Sequence, residues 1–200
     1  MNILVSNCNH WIGWHVVEDL LYQNCHVHAM IDKGVREDLL LFFGRNSNLT
    51  VLDDETALSA NYEAMIAINE VPGFQVNHYD RCLYIGHKAV NNSENITTIH
   101  PPLLFGEWMP MNEDGIYAEK EFIRFDSKKF SQEAMYIKDF TRALIQWVRA
   151  GILPSIIDAK GPADKMDMKR KDSVLIMGGG RVQQRVEALQ EHYRTYRPLY

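Results

Sequence analysis

Tyr84 and Lys88 stand four residues apart in "YIGHK". On a helix that spacing puts both on one face, where an ammonium could lower the pKa of the phenol and make it a general acid or base. On a strand they also share a face but lie roughly 13 Å apart, too far for that role. A second candidate is the polar loop inside "LVSNCNHWIG", because a helix N-terminus offers unpaired N–H groups to a phosphate. Such a loop needs glycines where the backbone turns tightly or approaches a ligand, and Gly13 is the one glycine there. "GGGR", Gly178 to Arg181, also precedes a helical pattern and could cradle a phosphate or serve only as a turn. His26 and His28 share a strand face without an evident third ligand, so packing or surface placement is expected of them, and no metal.

The elements that must position these residues follow from periodicity. Ile3 to Val5 is a short apolar run, and Trp11 to Tyr22 repeats Ile12, Val16, Leu20 and Val17, Leu21 at helical spacing. "CHVHAMID" predicts a second strand ending at Asp32, "GVREDLLLFFG" a helix stopped by Gly44, and "LTVLDD" a third strand. The order βαβαβ implies a parallel sheet with right-handed crossovers. "DETALSANYEAMIAINEV" reads either as one helix or as a short helix followed by a strand. "RCLYIGH" and "NITTIH" predict two more strands. Later, "EAMYIKDFTRALIQWVRAG" predicts an amphipathic helix with Phe140, Leu144, Trp147 and Val148 on one face, and "SVLIMGGGRVQQRVEALQEHY" a strand, a glycine turn and a helix with Val182, Val186 and Leu189 inward. Trp11, Trp14 and Trp147 are expected in the core. The fold class is α/β, a Rossmann-like parallel sheet with helices on both faces plus a small C-terminal lobe. Residues 1–106 form the core, and 107–200 add a helix to it and make the lobe.

Composition narrows the partners. Of the 200 residues, 46% are hydrophobic and 24% charged, with a net charge of −5, which suits a folded chain and gives no basic patch for nucleic acid or an anionic membrane. Three cysteines without metal spacing, no signal-peptide pattern and no long apolar stretch lead to the expectation of a cytoplasmic protein.

Four stretches, in order, resemble the extended short-chain dehydrogenase/reductase family, the NAD-dependent nucleotide-sugar epimerases and dehydratases. "LVSNCNHWIGWHVVEDLLYQNCHVHAMID" resembles its first strand, glycine loop, helix and second strand; "RCLYIGH" its fifth strand; "TTIHPPLLFGEW" its "R-P-x-x-x-Y-G-P" segment. "EAMYIKDFTRALIQWV" and "SVLIMGGGRVQQRVEAL" resemble its "V-D-D-V-A-x-A" helix and "N-I-G-G-G" turn.

The resemblance implies a cofactor site at Asn7, His10, Gly13, Asp32 and Asp53. Asn7 and His10 stand where the first two loop glycines belong; Gly13, which serves helix packing, is kept. Asp32 would read the adenine ribose and favour NAD over NADP, or be only an exposed acid; Asp53 would lie near the adenine, or cap a helix. Glu107 and Trp108 are placed at the substrate cleft, with Gly86 and His87 where the family carries Ser or Thr. Catalysis in the family needs a tyrosine, a lysine four residues on, and a Ser or Thr; Tyr84 and Lys88 match by spacing alone. The family places a long helix and then a strand after its fifth strand, and positions 89 to 99 cannot hold both before His100, so the resemblance favours a strand for "RCLYIGH". Two expectations follow. One is a non-catalytic or strongly diverged relative that binds a nucleotide or sugar nucleotide, with NAD or no cofactor, or that serves as a subunit in a homo-oligomer or for a protein partner. The other is an active NAD-dependent oxidoreductase or epimerase using Tyr84 and Lys88.

Overall fold

The structure is a computed structural model that describes residues 1–32, 37–52, 61–71, 79–88, 95–118, 121–161 and 172–200. Asp53 lies outside the described residues, as does the helical half of the ambiguous segment before Asn61.

Ile3, Leu4 and Val5 of strand β1 (Asn2–Val5) are all fully buried, the pattern of a parallel strand covered on both faces. Helix α1 (Trp11–Tyr22) buries Ile12, Val16, Val17, Leu20 and Leu21, and Asn24 just beyond it takes a left-handed conformation at φ 56°. Strand β2 (His26–Met30) follows; then Glu37–Phe43 forms a 3-10 helix where an α-helix is predicted, ending at Gly44 with φ 58°. Next come β3 (Leu49–Leu52), β4 (Ala64–Ile68), β5 (Cys82–Ile85), β6 (Ile96–His100) and β7 (Leu103–Phe105). Within "EAMIAIN", Ala64–Ile68 is therefore a strand, and all five of its residues are buried.

The remaining elements are β8 (Gly115–Ala118), β9 (Glu121–Arg124), α2 (Lys128–Glu133), β10 (Ala134–Tyr136), α3 (Ile137–Arg149), β11 (Ile156–Lys160), β12 (Ser173–Leu175) and α4 (Val182–Tyr196). Phe140, Leu144 and Val148 of α3 are buried as the periodicity predicts, whereas Trp147 is half-buried. In α4 the buried side chains are Val186, Leu189 and Tyr193; Val182 is exposed, because the first turn of the helix lies outside the packed face. Trp14 is buried, donates from Nε1 to the Leu39 carbonyl at 2.9 Å and stacks on Phe43, while Trp11 stays half-buried.

The main sheet has eight strands in the order β12-β11-β6-β5-β4-β1-β2-β3 and is flanked by helices. Its β3-β2-β1-β4-β5-β6 portion is the doubly wound order of a dinucleotide-binding sheet. Strand order reverses between β1 and β4, which pair in parallel through Ile3 with Ala64 and Val5 with Ile66. In such sheets the ligand crevice opens at that reversal, beyond the carboxyl ends of the strands.

The chain folds as two compact units, residues 1–100 with 144–157 and residues 101–143 with 158–200. Each is built from two chain segments, and the first takes residues 144–157, which include the end of α3. The first unit holds β1 to β6 with α1. The second contains the parallel pair β7 and β10 and the antiparallel hairpin β8–β9.

Candidate functional site

In the first unit the ends of β1, β2, β4 and β5 bring together Asn7, Asn9, His10, Asp32, Asn69, Tyr84, Gly86, His87 and Lys88. Asn7 leaves β1 in the left-handed region at φ 51°, and its side-chain amide donates to the Ile68 carbonyl at 2.7 Å. Asparagine is among the few residues that tolerate this conformation. The Asn7 carbonyl then accepts from the His10 backbone N–H at 3.0 Å. A Cβ on Gly13 would sit 2.2 Å from that same carbonyl oxygen and 2.8 Å from the Cys8 Cα, so the helix can approach the loop only with glycine there.

His10 is the N-cap of α1. Its Nδ1 accepts from the Ile12 backbone N–H at 3.3 Å, and its Nε2 meets the Asn69 side-chain amide at 3.4 Å. One of the N–H groups that would face a phosphate is thus already engaged by the chain's own ring. Burial pushes the His10 pKa down to about 4, so the ring is neutral at ordinary pH. The half-buried ring sits at the N-terminus of α1.

Asn9 and Asp32 are joined at both backbone atoms. The Asn9 amide donates to the Asp32 carbonyl at 2.8 Å, and the Asp32 N–H donates to the Asn9 Oδ1 at 2.8 Å. Asp32 itself is exposed. The pair fixes the end of β2 against the first loop, and leaves the carboxylate at the strand end in solvent.

Tyr84 lies on β5 and not on a helix, the arrangement that the short interval to His100 predicts. It is buried, its hydroxyl donates to the Asn69 carbonyl at 3.2 Å, and the Lys88 backbone N–H supplies a hydrogen bond to it. The strand ends at Ile85 and the chain folds back over the phenol. The 13 Å separation expected of an extended run therefore does not hold; what approaches the hydroxyl is the Lys88 backbone, and the Lys88 side chain is exposed. A Cβ on Gly86 would fall 2.5 Å from the Tyr84 hydroxyl oxygen, which explains glycine at that fold-back. Burial raises the phenol pKa above its ordinary value; the Lys88 backbone N–H opposes this more weakly, and Glu70 adds to it. His87 is exposed and its ring stacks 6.1 Å from His100.

Glu107 and Trp108 belong to the second unit. Glu107 Oε1 accepts from the Tyr136 hydroxyl at 2.8 Å, and the guanidinium of Arg185 lies 4.6 Å over the Tyr136 ring. Trp108 is buried and has φ 67°, a rare conformation for a bulky residue. Its ring packs 4.6 Å from His192 and 5.5 Å from both Tyr196 and Tyr200. The residue expected at an open cleft is covered by aromatic side chains of α4 and the segment after it. Arg185 also donates to the Gly179 carbonyl at 2.9 Å, and Gly180 takes φ 122°, so the "GGGR" turn is held from within its own helix. Arg181 precedes α4 without a side-chain cap bond.

His26 is exposed, and His28 bonds through Nδ1 to the Tyr62 hydroxyl at 2.7 Å. Among the described residues no group of three or more His, Cys, Asp or Glu side chains could hold a metal ion, and no helix is long and apolar enough to cross a membrane. Sequence reasoning missed Asn9 and Asn69. The signal available for Asn69 is an asparagine directly after an apolar run, a residue type suited to left-handed turns; for Asn9 it is only a side chain able to bond nearby backbone.

No family model and no curated protein matches the sequence. Solved structures do match. A dTDP-glucose 4,6-dehydratase from Bacillus anthracis in complex with NAD aligns over 100% of both chains at 9% identity and TM-score 0.61. A UDP-N-acetylglucosamine 4-epimerase from Bacillus cereus aligns over 97% of this chain and 99% of its own, at 9% identity and TM-score 0.58. Vestitone reductase from alfalfa aligns over 100% and 99%, at 8% identity and TM-score 0.61. At these identities the likeness is one of fold, and the chain shares the fold of the extended short-chain dehydrogenase/reductase enzymes.

Proposed function

We propose that this chain is a non-catalytic, strongly diverged relative of the NAD-dependent epimerases and dehydratases. In this reading it works in the cytoplasm and keeps the crevice between β1 and β4 as a place for a nucleotide or sugar nucleotide, or serves as a subunit in a homo-oligomer or for another protein. The cofactor it would accept is NAD, with the Asp32 carboxylate disfavouring the extra phosphate of NADP, or none. The observation that carries the reading is the environment of Tyr84. A tyrosine that exchanges protons near neutral pH needs its pKa lowered by a cation, whereas burial raises that of Tyr84 and its hydroxyl is engaged by the Asn69 carbonyl and the Lys88 backbone. His10 supports the same reading from the cofactor side, because its ring stands at the helix N-terminus.

The fold hosts active and inactive proteins alike, so activity decides. Assays of NAD(P)H turnover with a panel of nucleotide sugars are expected to show none with the natural chain, and none with Tyr84→Phe. Turnover that Tyr84→Phe abolishes overturns the proposal. That outcome would favour the second reading, an active oxidoreductase or epimerase using Tyr84 and Lys88, for which the observation is the exposed Asp32 carboxylate at the end of β2.

A further inference from the structure

The ladder between β5 and β6 carries two imidazoles to one place. Ile85 pairs with Ile99, and one step further the Gly86 N–H donates to the Ile99 carbonyl at 3.1 Å, so the backbones leading into His87 and His100 are fixed side by side. His100 closes β6 and is half-buried; His87 is exposed, just after the turn that Gly86 makes against the Tyr84 phenol. The two ring centroids lie 6.1 Å apart, with planes 22° from parallel. Both residues stand at the carboxyl ends of adjacent parallel strands, the edge at which sheets of this order bind their ligands.

We propose that His87 and His100 form a two-histidine site for a divalent transition-metal ion. A metal held at about 2.0–2.1 Å from an imidazole nitrogen lies about 3.2 Å from that ring's centroid, so two rings sharing it stand at most about 6.4 Å apart. The observed 6.1 Å meets that limit without a shift of either strand. His87, being exposed, turns about its side-chain torsions to aim a nitrogen at the point between the rings. Each imidazole has two nitrogens, so a ring engaged by a neighbour at one of them still offers the other, and such a bond orients a ligating ring.

The ligands select the ion. Imidazole nitrogen suits Zn²⁺, Ni²⁺ and Cu²⁺, whereas Mg²⁺ and Ca²⁺ seek oxygen. Among the described residues no third His, Cys, Asp or Glu joins the pair, so the ion keeps positions for water or for an oxygen of a bound ligand. That is the character of an open site and not of a closed structural one. The site goes beyond the non-catalytic reading given above, and neither stands on the other.

The test is isothermal titration of the full chain with zinc chloride in a non-chelating buffer. One ion per chain is expected to bind with micromolar affinity, and His87→Ala and His100→Gln are each expected to weaken binding by about tenfold or more. His26→Ala removes another exposed imidazole, beside His28 on β2, and is expected to leave binding unchanged. Magnesium chloride is expected to give no heat of binding. In histidine ring NMR spectra, the signals absent from His87→Ala and His100→Gln are expected to shift on zinc addition while those of the other histidines hold. Absence of zinc binding overturns the inference. Affinity that survives either substitution, or that falls equally in His26→Ala, puts the ion elsewhere and overturns it as well. Should His100→Gln lower the metal-free Tm, His87→Ala at the exposed position decides alone, and unchanged zinc affinity there overturns the site.

Discussion

At the scale of single residues, the first loop and the β5 turn are each tied by the protein's own groups: His10 Nδ1 takes the Ile12 N–H, and the Asn69 carbonyl takes the Tyr84 hydroxyl. His10 has the clearest physical signature. Its pKa in the folded chain, about 4, lies below the ordinary value of 6.5, so between those values the unfolded chain binds the extra proton and the folded one does not. Stability contributed by the neutral ring is fully present above pH 6.5 and is lost as the pH falls toward 4. Denaturant midpoints measured across that interval should fall more steeply for the natural chain than for His10→Gln, and parallel curves would contradict the assignment. From sequence, His10 was legible as a bulky residue in a glycine's place, but not as a cap. Capping depends on φ and ψ and on the reach of Nδ1 to Ile12, which the residue type does not determine.

At the scale of elements, β1, β2, β3, β5 and β6 were legible as short runs rich in apolar and β-branched residues, whereas β4 was legible only as one of two readings, because periodicity fits a helix there as well as a strand. The apolar content of Glu37–Phe43 predicts an ordinary helix and does not distinguish it from the 3-10 winding that forms. The fold-back between Tyr84 and Lys88 depends on Gly86 lying against the phenol, a tertiary contact with no periodic signal in the sequence. Gly13 shows the opposite case, where a local sequence reason and the packing coincide. With a Cβ there placed 2.2 Å from the Asn7 carbonyl oxygen, Gly13→Ala must push α1 away from the loop. The expected cost is about 3 kcal/mol, read as a fall of roughly 10 °C in Tm by calorimetry. A fall of less than about 2 °C would mean that the loop yields easily and that the close approach is not a requirement of the fold.

At the scale of the whole molecule, the eight-stranded sheet and the similarity to solved enzymes over nearly the full chain describe a shared scaffold, while Tyr84 on β5 is a buried phenol whose pKa burial raises. Buried apolar strands hold the sheet without help from any ligand, so loss of cofactor chemistry need not disturb it. In the sequence, the order of the four family-like stretches carried this architecture. The protonation behaviour of the phenol could not be read there, because it depends on burial and on Asn69, fifteen positions away. That behaviour is the most direct test of the central claim. In the carbon-13 NMR spectrum of the protein labelled at tyrosine Cζ, the resonance absent from Tyr84→Phe is expected to titrate above pH 10, with and without NAD. A midpoint between about pH 6 and 8 in the presence of NAD would mark Tyr84 as an activated acid/base and contradict the account.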